Sequence, residues 1–147
     1  MEYQRLLHAA QLEAQVLSLE EMDLTQRNEE FLEVEENILV PTEKFIIISP
    51  EYNGSYPGVL KLMIDNTDVR RVWWNKKVLL TGVSTGRAGN LRGMEHLTGS
   101  LLHMKMLVHP NRLPISVVNT LMNEEGMFTD NRTLEAIQNQ LREFITF

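Results

Sequence analysis

The chain has 147 residues, 43% hydrophobic and 23% charged, with twenty acidic residues against fourteen Lys and Arg for a net charge of −6. That is enough for one domain with a core, and the lack of a basic stripe argues against a nucleic-acid surface. With no cysteine, disulfides, thiolate metal sites and cysteine nucleophiles are excluded, which fits a reducing cytoplasm, and no apolar run is long enough to span a bilayer.

In chain order, Tyr3, Leu6, Leu7, Ala10 and Ala14 recur at helical spacing with Glu2, Gln4, Arg5 and Gln11 opposite, predicting a helix over 2–13. Residues 15–19, centred on Val16 and Leu17, are a short strand candidate, and the polar stretch 20–27 is expected to be irregular. Phe31, Val34 and Ile38 or Leu39 mark a second short helix, ended by Pro41. Its many carboxylates are not at metal-loop spacing, so they are read as a solvated face rather than a cation site.

The apolar, β-branched run Phe45-Ile46-Ile47-Ile48-Ser49 ends in Pro50-Glu51-Tyr52-Asn53-Gly54-Ser55. A helical pattern follows, with Pro57 in its first turn and Val59, Leu60, Met63 and Ile64 on its apolar face. This predicts a fully buried strand, a loop and a helix. The 66–75 stretch leads to a second buried strand over 78–83, with Trp73 and Trp74 read as core or interface packing rather than a lid. Residues 84–90, Ser84-Thr85-Gly86-Arg87-Ala88-Gly89-Asn90, form a second strand-to-helix loop, and a helix through Leu91, Met94, Leu97, Leu101 and Leu102 follows. Residues 105–108 are another strand candidate, stopped by Pro110, and 112–123 fit no single template. A turn over 126–130 precedes a last helix, capped by Thr129 or Asp130, with Leu134, Ile137, Leu141 and Phe144 on its buried face. Strands alternating with helices predict an α/β sandwich with a parallel sheet and right-handed crossovers, read as one domain over 1–147.

Ligands of such sheets sit beyond the carboxyl ends of the strands, where both loops fall. The first loop offers backbone donors and acceptors with Tyr52 and Asn53. The second offers N–H groups at a helix N-terminus, suited to an anion. A flavin ring needs this combination: hydrogen bonds to its pyrimidine edge, flat cover on its faces, and compensation for the negative charge of its reduced form. Gly54, Gly86 and Gly89 would let the backbone approach it closely.

These residues resemble the NADPH-dependent FMN reductase family, flavodoxin-like proteins that include quinone, azo-dye and chromate reductases. The resemblance is carried by Pro50-Glu51-Tyr52-Asn53-Gly54-Ser55, by Gly58-Val59-Leu60-Lys61 with Asp65, by Gly89-Asn90-Leu91-Arg92-Gly93 with Glu95-His96-Leu97, and by the turn from Gly126 to Asp130. It implies a flavodoxin-like three-layer sandwich with a parallel sheet. It also implies FMN contacted by Pro50, Glu51, Tyr52, Asn53 and Gly54 from one loop and by Ser84, Gly86, Arg87 and Gly89 from the other. Hydride would pass from NAD(P)H through FMN to a small-molecule electron acceptor such as a quinone, and no side-chain acid or base is required because the cofactor carries the chemistry. A homodimer or homotetramer is implied, with Lys61 and Asp65 as candidates for interface ion pairs, and neither nucleic acid nor membrane as a partner.

Family members begin with a strand and a Gly-, Ser- and Arg-rich phosphate loop ahead of the first helix, whereas these 147 residues begin inside that helix. The expected sandwich is therefore N-terminally truncated, lacking by analogy with strand order 2-1-3-4-5 the central strand and leaving unpaired edges. Each charged hydrogen bond to phosphate is worth roughly 1.5–3 kcal/mol. Losing a set of them removes about 5–12 kcal/mol, against about −12 kcal/mol for nanomolar binding.

Two other readings compete. Gly82-Val83-Ser84-Thr85-Gly86 is a G-x-S-x-G between a strand and a helix, the pattern of a hydrolase nucleophile elbow. That fold places its acid before its histidine, however, and here His96, His103 and His109 all precede Asp130. The second is a truncated, non-catalytic flavodoxin-like protein that binds or dimerises, supported by the missing phosphate loop and opposed by the retained flavin-facing loops. His96 and His103 are not at the spacing of a helical metal pair, and His8 and His109 have no evident partner, so structural or surface roles are expected and no metal site.

Overall fold

The structure is a computed structural model that describes residues 2–20 and 22–147; Glu21, inside the polar stretch expected to be irregular, lies outside the described residues. A first helix, α1 (Glu2–Ala9), is shorter than the periodicity suggested. Gln11 takes φ 60, and the N–H groups of Gln11 and Leu12 bond back to the carbonyls of His8 and Leu7 at 2.9 and 3.0 Å. This is a Schellman-type ending that uses Gln where Gly is usual, so the sequence gives no stop signal. Residues 15–19 form no strand: no backbone hydrogen bond joins them to the sheet, and a strand without a neighbour has no ladder to hold it.

The second helix, α2 (Glu29–Val34), is capped by Asn28 and runs into a π-helical turn over Glu35–Leu39. Its carboxylates are not all solvated. Glu29, Glu30 and Glu33 are exposed, but Glu35 is 1% exposed. Both its oxygens bond Arg27, at 2.7 and 3.0 Å, and one also accepts the Asp68 N–H at 2.8 Å.

Strand β1 (Lys44–Pro50) is followed by α3 (Gly58–Asn66), the short α4 (Val69–Val72), β2 (Lys77–Val83), α5 (Leu91–His103), β3 (Leu107–Val108), β4 (Leu113–Ile115) and α6 (Asn131–Thr146). The helix α4, absent from the sequence reading, exists because Asp68 caps the Arg70 and Arg71 N–H groups. The 112–123 stretch that fits no template contains β4 and a 3-10 turn over Val118–Thr120. All pairings are parallel: β1 runs beside β2, while β3 pairs with the start of β2 and β4 with its end. The far edge is thus one broken strand, interrupted around Pro110, where no backbone donor is available.

Side chains alternate across the sheet as pleating requires. Phe45, Ile47, Val78 and Leu80 join Trp73, Met94, Leu97 and Leu101 on one face. Ile46, Ile48 and Leu79 join Tyr3, Ile137, Leu141 and Phe144 on the other. The result is three layers, helix–sheet–helix. Trp73 is wholly buried and its indole N–H donates to Thr67 Oγ1 at 2.7 Å, which settles it as core. The central strand β2 is buried along almost its whole length, whereas 45–48 of β1 are only half-buried, contrary to the fully buried strand expected of that run. The reason is position, since among the described residues β1 is an edge of the sheet. No helix of the described residues is long and apolar enough to cross a membrane.

Candidate functional site

Strands β1 and β2 are paired in register from Lys44 opposite Lys77 to Pro50 opposite Val83, so their following loops leave the sheet at one level. The Glu51 N–H continues the ladder to the Val83 carbonyl at 2.9 Å. Beyond it, Tyr52 and Ser55 exchange backbone bonds of 2.9 and 3.1 Å. The turn between them carries Asn53 at φ 52 and Gly54 at φ 76. Two central residues at positive φ make the Asn-Gly turn that joins hairpin strands. Among the described residues the N–H groups of Asn53 and Gly54 have no acceptor, and Tyr52 is 63% exposed. Pro50 is exposed as well.

The second loop is braced from within and from β4. Ser84 Oγ accepts the Gly89 N–H and donates to the Gly86 carbonyl, both at 3.1 Å. The Ser84 N–H bonds the Ile115 carbonyl at 2.9 Å, and the N–H groups of Val117 and Val118 return to the carbonyls of Gly86 and Ser84 at 3.0 and 3.1 Å. Thr85, Gly86 and Arg87 are exposed, and their N–H groups have no acceptor among the described residues. Gly89 is buried at φ 55, where a Cβ would stand 2.8 Å from Pro114.

The segment at 115–118 is thus part of the site, and the sequence reading missed it. It holds Val117 at φ 46, a β-branched residue in the left-handed region that such residues avoid. No residue pattern signals that conformation.

The two loops are tied together. Glu51 is the surprise among the expected flavin contacts: its carboxylate accepts the backbone N–H of Asn90 at 3.1 Å, at the start of α5. The N-terminus that the sequence offered to an external anion is therefore occupied by the chain's own carboxylate, and the donors left for a ligand are those of 85–87. On the outer side of the first loop, the Arg92 guanidinium lies over Gly54 and Ser55 Oγ meets His96 Nδ1 at 3.0 Å. Lys61 and Asp65 pair with each other along α3 at 2.5 Å, and that bond favours the charged form of Lys61.

The hydrolase constellation does not assemble, because the hydrogen bonds of Ser84 Oγ are to Gly86 and Gly89. His96 bonds Ser55, and His109 is buried against the rings of Phe144 and Phe147. Among the described residues no cluster of His, Asp and Glu is arranged to hold a metal ion.

A parallel sheet between helical layers, with two level strand-end loops presenting free N–H groups, defines a flavodoxin-like α/β protein. Solved structures of that class match nearly the whole chain. FerB, a flavoenzyme NAD(P)H:(acceptor) oxidoreductase from Paracoccus denitrificans, superposes with a TM-score of 0.79 at 23% identity, over 99% of this chain and 84% of that one. A flavodoxin from the domain Archaea gives 0.67 at 14% identity, over 99% and 84%. By sequence, residues 2–119 match the NADPH-dependent FMN reductase family, and the chain belongs to that family.

The chain is 31% identical over 105 residues to the NAD(P)H-dependent FMN reductase PA1204 of Pseudomonas aeruginosa, covering 68% of this chain and 56% of that protein. It is 30% identical over 73 residues to a 2-hydroxy-1,4-benzoquinone reductase of a Burkholderia species, covering 48% and 40%. It thus spans roughly half the length of these curated relatives. FMN and NAD(P)H are the cofactors that the family implies. The residues present fit a flavin ring: unengaged N–H groups on both loops, an exposed Tyr52, and a glycine at positive φ in each loop.

Proposed function

We propose that this chain forms the flavin-holding part of an NAD(P)H-dependent FMN oxidoreductase acting on a small oxidised acceptor of the quinone type. The observation that carries the reading is the pair of level loops, cross-tied and each presenting N–H groups that the protein leaves unused. Bound there, FMN would supply the hydride chemistry, accepting from NAD(P)H and giving to the acceptor.

The chain's own residues bind and orient. The N–H groups of Asn53 and Gly54 suit the carbonyls and ring nitrogens of a pyrimidine edge. Those of Thr85, Gly86 and Arg87 present partial positive charge where the reduced ring carries negative charge, so they favour reduction. Tyr52 offers a flat apolar face, and Pro50 and Gly89 shape the floor. Ser84 holds the second loop in place through its two hydrogen bonds and attacks nothing. Self-association into a dimer or tetramer is supported by exposed Leu62 on α3 and exposed Leu91 and Leu102 on α5.

Titration of the purified chain with FMN, followed by flavin fluorescence quenching and then by anaerobic addition of NADPH or NADH, tests the reading. Saturation at one flavin per chain, then bleaching of its visible absorption and recovery on adding a benzoquinone, is the expected course. No saturable quenching up to millimolar FMN, the range left to the ring contacts without the phosphate loop, or bound flavin that neither nicotinamide reduces, overturns it.

A further inference from the structure

Asn90 stands where the two loops touch. It is fully buried, takes φ 62 and heads α5. Its Nδ2 donates to the Ser49 carbonyl at 2.9 Å and the Pro50 carbonyl at 3.0 Å, at the end of β1. Its backbone N–H donates to Glu51 Oε2. One residue of the second loop thus bonds three successive residues where β1 passes into the first loop.

The space around Asn90 is kept clear by glycines. A Cβ on Gly93 would fall 2.0 Å from Asn90 Oδ1 and 2.7 Å from the Ser55 carbonyl carbon, and one on Gly82 would fall 2.3 Å from the Gly89 oxygen and 3.0 Å from Asn90 Cβ. The amide is not fully satisfied, since Oδ1 is buried with no partner. Buried polar atoms are rarely left so. A small apolar residue would fill the hole without that cost, so the donor end is what the site uses.

We propose that Asn90 is a positioning residue that sets the spacing between the free N–H groups of 53–54 and those of 85–87, so that both sets address one ring. This rests on the FMN reading above. Asn90 itself touches no ligand. Its Nδ2 fixes the end of β1 against the start of α5, and donors fixed in advance bind without the cost of ordering them. Without the amide, the first loop keeps its ladder bond to Val83, the Glu51 contact and the Ser55–His96 bond further along, but nothing pins the Ser49 and Pro50 carbonyls to the start of α5, and the spacing of the two donor sets loosens.

The test compares wild type with Asn90→Gly, which keeps the left-handed backbone and deletes the amide, and with Asn90→Asp, which keeps the size but replaces the two N–H bonds to Ser49 and Pro50 by at most one O–H. FMN affinity, the band shape of the bound flavin and the thermal melt are measured for each, with affinities taken well below every melting temperature. Both variants should bind FMN at least about tenfold more weakly, a difference of about 1.4 kcal/mol, with the spectrum of the remaining bound flavin moved toward that of free FMN. Affinity and spectrum unchanged, with only the melt lowered, would mean that Asn90 is structural and nothing more. If Asn90→Gly does not fold, the near-isosteric Asn90→Asp carries the comparison. If wild type binds no FMN, the functional reading fails separately. The latch is then read from amide hydrogen exchange, which Asn90→Gly accelerates in both loops together if the inference holds and leaves unchanged if it does not.

Discussion

The hydroxyl oxygens of Tyr3 and Thr81, 78 positions apart in the chain, lie 2.6 Å from each other. The Tyr3 hydroxyl also donates to Gln140 Oε1 at 2.7 Å, and the Gln140 amide reaches the Leu80 and Asn111 carbonyls at 3.0 and 2.9 Å. One polar knot therefore binds α1 and α6 to the middle strand of the sheet.

Burial pushes the Tyr3 phenol up to about 12, with the bond to Thr81 opposing the shift. The folded state holds the neutral form, so the stabilisation is complete below the ordinary phenol value near 10. It is lost as pH rises from there through about 12. Tyr3→Phe should lower stability at neutral pH by about 1 kcal/mol and flatten the alkaline decline. Urea unfolding between neutral and strongly alkaline pH measures both, and parallel curves for the two proteins would refute the assignment.

Glu35 is the buried partner of an ion pair whose other member, Arg27, is 41% exposed. Removing the acid strands the Asp68 N–H but leaves Arg27 free to turn to water, whereas removing the base leaves a buried carboxylate without its charge partner. Glu35→Ala should therefore cost about 1–3 kcal/mol and Arg27→Ala more, because an uncompensated buried charge costs about 3–5 kcal/mol. Chemical denaturation of both variants checks the ordering, and equal losses would place the energy in the pair alone.

Of the glycines near the second loop, Gly89 has no room and Gly86 has room. Gly89→Ala places a methyl against Pro114 and the Ile115 nitrogen at a positive φ, at a cost of about 1–3 kcal/mol. Gly86→Ala meets only the Ser84 hydroxyl, at ordinary contact distance, and should stay within about 0.5 kcal/mol of wild type. Thermal melts separate them, and a benign Gly89→Ala would show that β4 does not press on the loop.

Val117 pays for its left-handed backbone with no compensating burial, being 37% exposed. Val117→Asn should raise stability by about 1 kcal/mol, since Asn tolerates that region. A lowered melting temperature would mean that the valine side chain supports the second loop in some way its exposure conceals.

Periodicity made the longer helices legible, and composition the two long strands, because Phe45 to Ile48 is an apolar run rich in β-branched residues, Val78 to Val83 is largely apolar, and the helices place Leu, Ile and Phe at regular intervals. The family pattern showed the two loops. Besides α4 and the backbone of Val117, three things stayed hidden. The end of α1 depends on Gln11 adopting a glycine's conformation. The short strand β4 is held by pairing to β2 rather than by its own residues. The cross-tie of Glu51 and Asn90 joins residues 39 positions apart, which no local pattern records. The strand read over 15–19 failed for the complementary reason: its β-propensity is real, but a strand is a property of two segments.

On the side of β1 facing away from β2, the backbone of Phe45 to Ile48 has no neighbouring strand among the described residues. Main-chain pairing is indifferent to the side chains of the incoming segment, so geometry alone would let many extended peptides add there. Selection must come from the alternating flanks, where a newcomer's odd residues would meet Phe45 and Ile47 in one layer while its even residues meet Ile46 and Ile48 in the other.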